Sequence, residues 1–480
     1  MKITKKNEVY LQIETEPHIA RELSEYFTFE VPGARFMPSY RNKVWDGKIR
    51  LYSVATGQIY LGLLPYIREF CKHNDIRYEL LFNAKPEDID ESTINTFIKH
   101  LKIPYKARDY QISSILCGAR KCRSLFVCPT ASGKSLIIYG LTRWCHYKNL
   151  KTLIIVPTTS LVEQMYSDFL DYGWLESYMQ KIYQGHDKKV RKDVVISTWQ
   201  SLYKFPKKYF EQFGCVIGDE AHTFKSKSLT SIMNKLHLCK YRFGLTGTLD
   251  DLQTHKLVLE GVFGTVNKVI STKELMEKKT LSNLKIDSLI LGYDDNECKI
   301  VKDLKYADEI DYIVNHKKRL NFVNKLVKPL NGNTLVLYQY VEKHGKPLHQ
   351  LVSDTYKDRK VFFVSGEVDA LKREEIRAIT EQSKNAIIIA SYGTFSTGIN
   401  IKNLHNIVFS SPSKSKIRVL QSIGRGLRLG SDKDNCKLFD LADDFTYKSK
   451  QNFTLRHFME RINIYNEEQF DYEIKRIKIK

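Results

Sequence analysis

The chain has 480 residues, of which 42% are hydrophobic. This share is ordinary for a globular protein with sizeable cores, and the length predicts about three domains. No apolar run approaches the ~18 residues of a transmembrane helix, and the N-terminus lacks the apolar stretch of a signal peptide, so neither membrane association nor secretion is predicted.

The formal net charge of +21 is distributed unevenly along the chain. Residues 1–100 contain 14 basic and 14 acidic side chains, so the whole excess lies in the remaining residues. Such an excess favours a polyanionic partner, most simply nucleic acid. The alternative is a protein that is basic without binding a polyanion.

Nine cysteines are scattered from Cys71 to Cys436 without a C-x-x-C pair. This spacing favours reduced thiols in a cytoplasmic protein and disfavours a zinc site.

Residues 1–100 are predicted to form a small α+β domain. EVYLQIE alternates as a strand, PHIARELSEYF and LGLLPYIREFCKHN are predicted helices, and Trp45-Asp46-Gly47 is a predicted hairpin turn. Basic and aromatic residues alternate around this turn, which suits nucleic-acid backbone contact with base stacking. The predicted contacts are Arg41, Lys43, Trp45 and Lys48, and a solvated charged face of a hairpin is the equally weighted alternative.

Two further α/β domains follow. FVC, KTLIIVP, VVIST, CVIGDE and RFGLTGT are predicted strands of a parallel sheet within residues 101–283. IDSLILGY, NTLVLYQY, KVFFVSG, NAIIIASY, HNIVFSS and KLFDLA predict a second parallel sheet within residues 284–450. Residues 451–480 are predicted to be a helical, basic C-terminal tail that either touches nucleic acid or is solvated.

The segment Ser124–Ser135 has the layout of a phosphate-binding loop, with an apolar strand, a small-residue loop, Gly-Lys-Ser and a helix. Backbone N–H groups and the helix N-terminus favour an anionic phosphate, Lys134 reaches the β/γ-phosphates, and the Ser135 hydroxyl ligates Mg²⁺. The first glycine of the general pattern is replaced by Cys128. The predicted nucleotide-binding residues of this segment are Thr130, Ala131, Ser132, Gly133, Lys134 and Ser135.

Asp219 and Glu220 end an apolar stretch in the same predicted domain. Asp219 is a predicted Mg²⁺ ligand, and Glu220 is placed to orient or deprotonate the attacking water. Upstream, Arg108 and Gln111 lie where an adenine pocket is expected, because an amide offers one donor and one acceptor to the base edge. An ordinary helix start has the same composition.

Arg425 and Arg428 lie three residues apart in QSIGRGLR, a spacing that puts both on one helix face. Guanidinium groups supplied to a γ-phosphate act as arginine fingers. Upstream, Ser396-Thr397-Gly398 ends a predicted strand in groups suited to phosphate contact.

The ordered set RDYQ, PTASGKS, VPTTSLVEQ, STWQSL, DEAH, TGT, STGIN and QSIGRGLR resembles the motifs of superfamily 2 helicases. The resemblance implies an α/β fold with two RecA-like domains, and ATP and Mg²⁺ between them. It implies hydrolysis by Lys134, Ser135, Asp219 and Glu220, completed by Arg425 and Arg428, with adenine read by Gln111. By the same resemblance, the predicted nucleic-acid contacts are Thr159, Thr198, Gln200, Ser365, Gly366 and Thr397. The residues predicted to couple hydrolysis to nucleic-acid movement are Thr246, Thr248 and Gln421. Gly398 is predicted to bind the nucleotide.

The N-terminal F-x-P…WDG-x-I-R-L pattern, FFVSGEVD and KSKI-x-VLQ-x-IGR-x-LR are similar to the UvsW-type helicases of T-even-like phages. DEAH replaces a DECH-type box, and TGT replaces an SGS-like motif. The resemblance implies fork regression, Holliday-junction branch migration, R-loop dissolution and strand annealing in the host cytoplasm. The implied partners are branched, duplex and single-stranded DNA, with RNA–DNA hybrids and phage recombination proteins as further candidates.

Three other functions are consistent with parts of this pattern. An RNA helicase shares the motor motifs, although TGT favours DNA. A duplex-DNA translocase subunit of a restriction-type complex would need a partner for cleavage, since no nuclease constellation is recognisable. A basic annealing protein with a degenerate ATPase is disfavoured, because all predicted catalytic groups are present.

Overall fold

A computed structural model describes residues 1–249, 252–368, 370–398, 401, 403–413, 415–429 and 433–479. The chain forms two compact units, one of residues 1–128 and 133–269 and the other of residues 129–132 and 270–480. In the described part of the chain, no helix is both long and apolar enough to cross a membrane. The nine cysteines carry free thiols.

The N-terminal part of the first unit is a mixed sheet covered by helices. Its strands are β1 (Lys2–Lys5), β2 (Tyr10–Glu14), β3 (Thr28–Glu30), β4 (Lys48–Arg50), β5 (Tyr52–Ser53), β6 (Gln58–Tyr60) and β7 (Glu79–Leu80), and its helices are α1 (Pro17–Tyr26), α2 (Pro38–Arg41), α3 (Leu64–His73) and α4 (Glu91–His100). Five strands form one sheet in the order β5-β6-β2-β1-β7, and β3 pairs with β4.

The predicted hairpin turn at Trp45-Asp46-Gly47 is wrong. Strands β3 and β4 do pair antiparallel, but seventeen residues that include α2 connect them, so the three residues lead into β4. An Asp-Gly pair does not by itself specify a hairpin turn, because it also suits a loop in which glycine has a positive φ, here +78° at Gly47.

The rest of the first unit is a parallel sheet with helices on both faces. Its elements are α5 (Asp109–Lys121), β8 (Arg123–Val127), α6 (Lys134–Tyr147), β9 (Thr152–Val156), α7 (Thr159–Asp171), β10 (Met179–Ile182), β11 (Val194–Thr198), α8 (Trp199–Leu202), α9 (Lys207–Phe210), β12 (Cys215–Asp219), α10 (Lys227–Lys235), β13 (Tyr241–Thr246), α11 (Gln253–Phe263) and β14 (Val266–Lys268). The order β10-β11-β9-β12-β13-β8-β14 makes β13 the shared neighbour of β12 and β8.

That strand order determines where the site forms. In the pairing register, Asp219 lies opposite Leu245, and Thr246 lies opposite Val127. Because all three strands are parallel, the segments after β8, β12 and β13 emerge at one edge of the sheet.

The N-terminal sheet packs directly on α11. Leu257 and Val258 of α11 are buried in the same hydrophobic cluster as the core of the N-terminal sheet. The Tyr66 hydroxyl donates to Glu260 Oε2 at 2.6 Å. A Cβ at Gly62 would lie 2.0 Å from the Glu260 carbonyl oxygen, so only glycine permits this backbone approach.

The second unit contains another all-parallel, seven-stranded sheet. Its elements are α12 (Thr272–Glu277), β15 (Asn283–Gly292), α13 (Asp295–Val301), α14 (Tyr306–Asn315), α15 (Lys317–Val327), β16 (Thr334–Tyr338), α16 (Lys346–Thr355), β17 (Val361–Val364), α17 (Ala370–Gln382), β18 (Ile387–Ser391), α18 (Tyr392–Gly398), β19 (Asn406–Phe409), α19 (Lys416–Gly426), β20 (Asn435–Asp444), α20 (Phe453–Glu467) and β21 (Asp471–Lys478). The order is β17-β18-β16-β19-β20-β15-β21.

The predicted α/β architecture with two parallel-sheet domains is confirmed. The predicted helical tail is correct for α20, but its basic end is β21, which pairs with β15 at the edge of the second sheet. The segment IKRIKIK alternates apolar and basic residues, as a charged edge strand does.

Candidate functional site

The segment between β8 and α6 has the backbone of a tight phosphate-binding loop. Ala131 and Gly133 both have positive φ angles, +64° and +79°. A Cβ at Gly133 would lie 2.4 Å from Gln111 Nε2, so this position also requires a residue without a side chain. Cys128 is buried before the loop turns, and its N–H donates to the Thr246 carbonyl oxygen at 2.8 Å. Position 128 therefore needs no glycine.

Lys134 is the first residue of α6 and pairs with two carboxylates at the end of β12. Its Nζ lies 3.0 Å from Glu220 Oε1 and 3.9 Å from Asp219 Oδ1. The three side chains are 20%, 23% and 10% exposed for Lys134, Glu220 and Asp219. The structure thus brings together three of the predicted catalytic residues.

Burial and mutual attraction set the protonation of this cluster. Burial lowers the pKa of Lys134, but attraction to Glu220 and Asp219 outweighs it, and the net pKa is raised. Burial raises the pKa of Glu220, but Lys134 and His222 reverse this effect and the net pKa lies well below the ordinary range. The pKa of Asp219 is raised because burial outweighs the attraction of Lys134. Lys134 and Glu220 are consequently charged at neutral pH.

Asp219 also has an acceptor without a hydrogen bond. Its Oδ1 is buried and accepts no hydrogen bond, although Lys134 Nζ lies 3.9 Å away. A buried carboxylate oxygen with no hydrogen bond is costly unless a closer cation or donor meets it. This atom therefore fits the predicted role of Asp219 as a ligand of a hard cation.

A chain of close contacts leads from Glu220 to the segment after β13. His222 Nδ1 lies 3.4 Å from Glu220 Oε2, an electrostatic contact without a hydrogen bond, and is hydrogen-bonded to Thr246 Oγ1 at 2.9 Å. The Thr246 hydroxyl donates to the carbonyl oxygen of Thr248 at 2.9 Å. The predicted coupling residues Thr246 and Thr248 are thus joined to Glu220 through His222, whose part in this contact the sequence did not predict.

Tyr172 is a second residue that sequence reasoning missed. Its hydroxyl lies 2.8 Å from Ser135 Oγ, the predicted Mg²⁺ ligand. Tyr172 directly follows α7, and no sequence pattern marks it, because the contact depends on how α7 packs against α6.

Gln111 is almost fully buried, and both ends of its amide bind the protein. Its Oε1 accepts from Arg108 N at 2.9 Å, and its Nε2 donates to the Gly133 carbonyl oxygen at 3.3 Å. Arg108 Nη1 donates to the Tyr110 hydroxyl at 2.7 Å. Adenine reading by Arg108 and Gln111 stays a prediction, and for Gln111 it would use the second N–H or the second lone pair of the amide.

The predicted nucleic-acid contacts of the first sheet differ in exposure. Thr159 begins α7 and is exposed, and Gln200 in α8 is exposed. Thr198 is buried, and its Oγ1 lies 3.1 Å from Ser201 Oγ. Thr159 and Gln200 are therefore accessible to a nucleic-acid strand.

In the N-terminal domain, the predicted contacts are largely accessible. Arg41, Lys43 and Lys48 are exposed, and Trp45 is half-buried with its Nε1 donating to the Lys48 carbonyl oxygen at 2.8 Å.

The second unit carries the remaining predicted residues. Ser365 is buried after β17 and Gly366 faces open space. The prediction that Ser396-Thr397-Gly398 ends a strand is wrong, because these residues end the helix α18, which follows β18; their side-chain environment lies outside the described residues. Gln421 lies on α19, partly buried.

The predicted shared helix face of Arg425 and Arg428 is wrong. Arg425 lies in the last turn of α19, with its guanidinium 5.5 Å from the centre of the Phe395 ring. Arg428 lies beyond the end of α19 and forms an antiparallel bridge with Leu281. The helix α19 ends at Gly426, and Arg428 pairs with Leu281 instead of continuing the helix.

Three family models match the chain. Residues 1–82 match the N-terminal domain of DNA helicase UvsW, residues 83–251 match the res subunit of type III restriction enzymes, and residues 318–430 match the helicase conserved C-terminal domain.

Individual relatives extend this similarity over the whole chain. The chain is 36% identical over 498 aligned positions to the ATP-dependent DNA helicase uvsW of Enterobacteria phage T4, covering 98% of each chain. The crystal structure of T4 UvsW matches with a TM-score of 0.53 at 33% identity, covering 100% of this chain and 99% of that one. A DNA 3'-5' translocase, XPB2 of Sulfurisphaera tokodaii, is 23% identical over 74% of this chain and 86% of its own.

The N-terminal model is specific to UvsW, and the similarity to phage T4 UvsW is continuous from one end of the chain to the other. The chain therefore belongs to the UvsW family of superfamily 2 helicases.

Proposed function

We propose that this protein is an ATP-dependent DNA helicase that acts on branched DNA, with fork regression, Holliday-junction branch migration, R-loop unwinding and strand annealing as its reactions. The observation that carries the motor function is the buried Lys134–Glu220 contact of 3.0 Å beside a loop with a phosphate-binding backbone. The relationship to phage T4 UvsW supports DNA as the substrate.

The residues of the cluster fit ATP and Mg²⁺. When bound, ATP supplies the γ-phosphate to be cleaved, and Mg²⁺ offsets the charge of its oxygens. Ser135 Oγ and Asp219 Oδ1, which accepts no hydrogen bond, would hold the cation, and Lys134 would hold the phosphates. Exchange of the Lys134–Glu220 contact for a Lys134–phosphate contact would free the Glu220 carboxylate to accept a proton from water. We assign Arg425 and Arg428 to the stabilisation of charge in this reaction on the basis of their motif.

Coupling to DNA would use the path from Glu220 through His222 to Thr246 and Thr248. A change in the charge balance around Glu220 alters its electrostatic contact with His222, whose Nδ1 lies 2.9 Å from Thr246 Oγ1. Thr159, Thr198, Gln200, Ser365, Gly366 and Thr397 are the proposed contacts to the DNA backbone.

Substrate choice is proposed to involve the N-terminal domain. Its basic residues Arg41, Lys43 and Lys48 are exposed. Because α11 packs in the N-terminal core, DNA held by this domain is held in a fixed position relative to the first parallel sheet.

Glu220→Gln tests the motor directly. The substitution retains the size of the side chain and removes the proton acceptor, so we expect loss of DNA-stimulated ATP hydrolysis with DNA binding retained. Comparing stimulation of the wild type by Holliday junctions, linear duplex DNA and duplex RNA tests the substrate. Hydrolysis at the wild-type rate in Glu220→Gln, or stronger stimulation by RNA than by any DNA, would contradict the proposal.

A further inference from the structure

A basic groove lies between the N-terminal domain and the α10 region of the first unit. Its volume is about 730 Å³. One wall comes from the segments around Lys6 and Arg50, and the other comes from α9, α10 and the residues that flank α10. None of the predicted helicase motifs lines it.

The charge of the groove has one sign. Its basic side chains are Lys6, Arg50, Lys207, Lys225, Lys227, Lys235 and His237, and the described residues that line it include no aspartate or glutamate. Five of these seven side chains belong to residues 207–237, outside the charge-balanced N-terminal domain.

Some of these basic side chains have structural partners. Lys235 Nζ donates to the carbonyl oxygens of Tyr203 and Phe205 at 2.7 and 2.8 Å. Arg50 pairs with Asp46, and His237 Nε2 lies 3.7 Å from Glu211 Oε1.

Three lysines have no such partner. Lys6, Lys207 and Lys227 are exposed, and their ammonium groups take part in no ion pair or side-chain hydrogen bond within the described part of the chain. Like charges held around one groove repel each other, and a bound polyanion relieves that repulsion.

The groove also offers surfaces suited to the remainder of a nucleotide. The rings of Tyr10 and Tyr60 line it and are stacked on each other, with centroids 5.2 Å apart. Asn234 also lines the groove, and its Oδ1 is buried without a hydrogen-bond partner.

We propose that this groove binds the sugar–phosphate backbone of the DNA substrate, as a contact separate from the helicase motifs. Two features connect it with the rest of the motor. Ile49, Arg50 and Leu51 of its lining directly follow Lys48, a predicted contact of the N-terminal domain. Lys225 and Lys227 lie on the segment that follows Asp219 and Glu220, so DNA in the groove would contact the chain a few residues beyond the hydrolytic carboxylates.

The test removes the three unpartnered charges together, in the full chain, as Lys6→Gln, Lys207→Gln and Lys227→Gln. The matched control removes three exposed lysines of the same unit that lie outside the groove, as Lys72→Gln, Lys99→Gln and Lys121→Gln. Both variants lose the same net charge. Affinities for a short duplex and for a single strand are measured without ATP over a range of salt concentrations.

For the groove variant, the slope of log affinity against log salt should become shallower by about 2.7 on duplex DNA or about 2.1 on a single strand. At about 0.15 M salt this change in slope corresponds to a loss of DNA affinity on the order of 100-fold. The control variant should bind as the wild type does. Equal losses in both variants, or no loss in the groove variant, would overturn the inference.

A charge-preserving variant separates binding from folding. Lys6→Arg, Lys207→Arg and Lys227→Arg together should keep the wild-type affinity and salt slope. If the glutamine triple variant melts at a lower temperature than its control, the salt dependence of DNA binding is measured instead for the single variant Lys227→Gln. Its slope on duplex DNA should become shallower by about 0.9. An unchanged slope in that single variant would overturn the inference.

The inference rests on the proposed function, but the two fail differently. Absence of DNA-stimulated ATP hydrolysis in the wild type would contradict the proposed function, whatever the groove variants do. Presence of that activity together with unchanged binding by the groove variant would contradict only the groove.

Discussion

Replacing Lys134 by alanine should destabilise the folded protein in a pH-dependent way, in addition to stopping hydrolysis. The substitution leaves Asp219 and Glu220, whose side chains are 10% and 23% exposed, without their cation. Removing one partner of a buried ion pair costs about 3–5 kcal/mol. For a unit of this size, about 3 kcal/mol corresponds to a decrease in melting temperature of roughly 6–12 °C.

The sign of the pH dependence follows from the pKa shifts. In the wild type, the pKa of Glu220 is lowered, so the contact stabilises the fold above the ordinary carboxyl pKa and is lost as pH falls. In Lys134→Ala, the largest influence opposing burial is gone and only weaker ones such as that of His222 remain, so both carboxyl pKa values rise and the folded state is penalised increasingly as pH rises. The difference in melting temperature should therefore be largest near pH 8 and smaller near pH 5.

Thermal melts of both proteins without nucleotide, at several pH values, measure this effect. Lys134→Arg is the control, because it keeps the positive charge and should show a weaker pH dependence. A decrease in melting temperature that is the same at pH 5 and pH 8 would refute the electrostatic reasoning.

Three further substitutions test other parts of the structure. Gly62→Ala should cost about 1–3 kcal/mol of stability, because its Cβ would lie 2.0 Å from the Glu260 carbonyl oxygen, and thermal melting measures this cost. Thr246→Val removes the hydroxyl 2.9 Å from His222 Nδ1 and should lower the DNA unwound per ATP hydrolysed by about fivefold or more, as measured by parallel unwinding and hydrolysis assays. Arg461→Met leaves its buried aspartate partner without a cation and should lower stability by about 3–5 kcal/mol, as measured by chemical denaturation.

Two of these predictions have a matched control. Gly393→Ala, where a Cβ meets nothing within 4 Å, should melt as the wild type does. Thr246→Ser keeps the hydroxyl and should keep the unwinding yield. Wild-type stability in Gly62→Ala or Arg461→Met would contradict the stabilising role of the corresponding contact. A wild-type unwinding yield in Thr246→Val would contradict the role of Thr246 in coupling.

The central strands of both sheets could be predicted from the sequence because each is a short, continuous apolar run, as expected for strands covered on both faces. The edge strands β10, β14 and β21 were harder to predict. They are short or partly polar, since one side of an edge strand meets solvent, and their pairing depends on the neighbouring strand.

The phosphate loop and the acidic pair were predictable because their chemistry depends on residues close together in sequence. The roles of His222 and Tyr172 in the site were not, because both depend on packing between distant segments. The sequence also suggested a separable domain in residues 1–100, whereas Leu257 and Val258 lie in its core. Deleting that domain would expose this cluster, so point substitutions are the sharper test of its function.

The central claim is that hydrolysis at the Lys134–Glu220 site moves branched DNA. The most direct measurement follows the conversion of a mobile Holliday junction into duplex products by the wild type and by Glu220→Gln, with and without ATP. We predict conversion by the wild type with ATP alone, and junction binding without conversion by Glu220→Gln. Conversion by Glu220→Gln at the wild-type rate, or conversion by the wild type without ATP, would contradict the account.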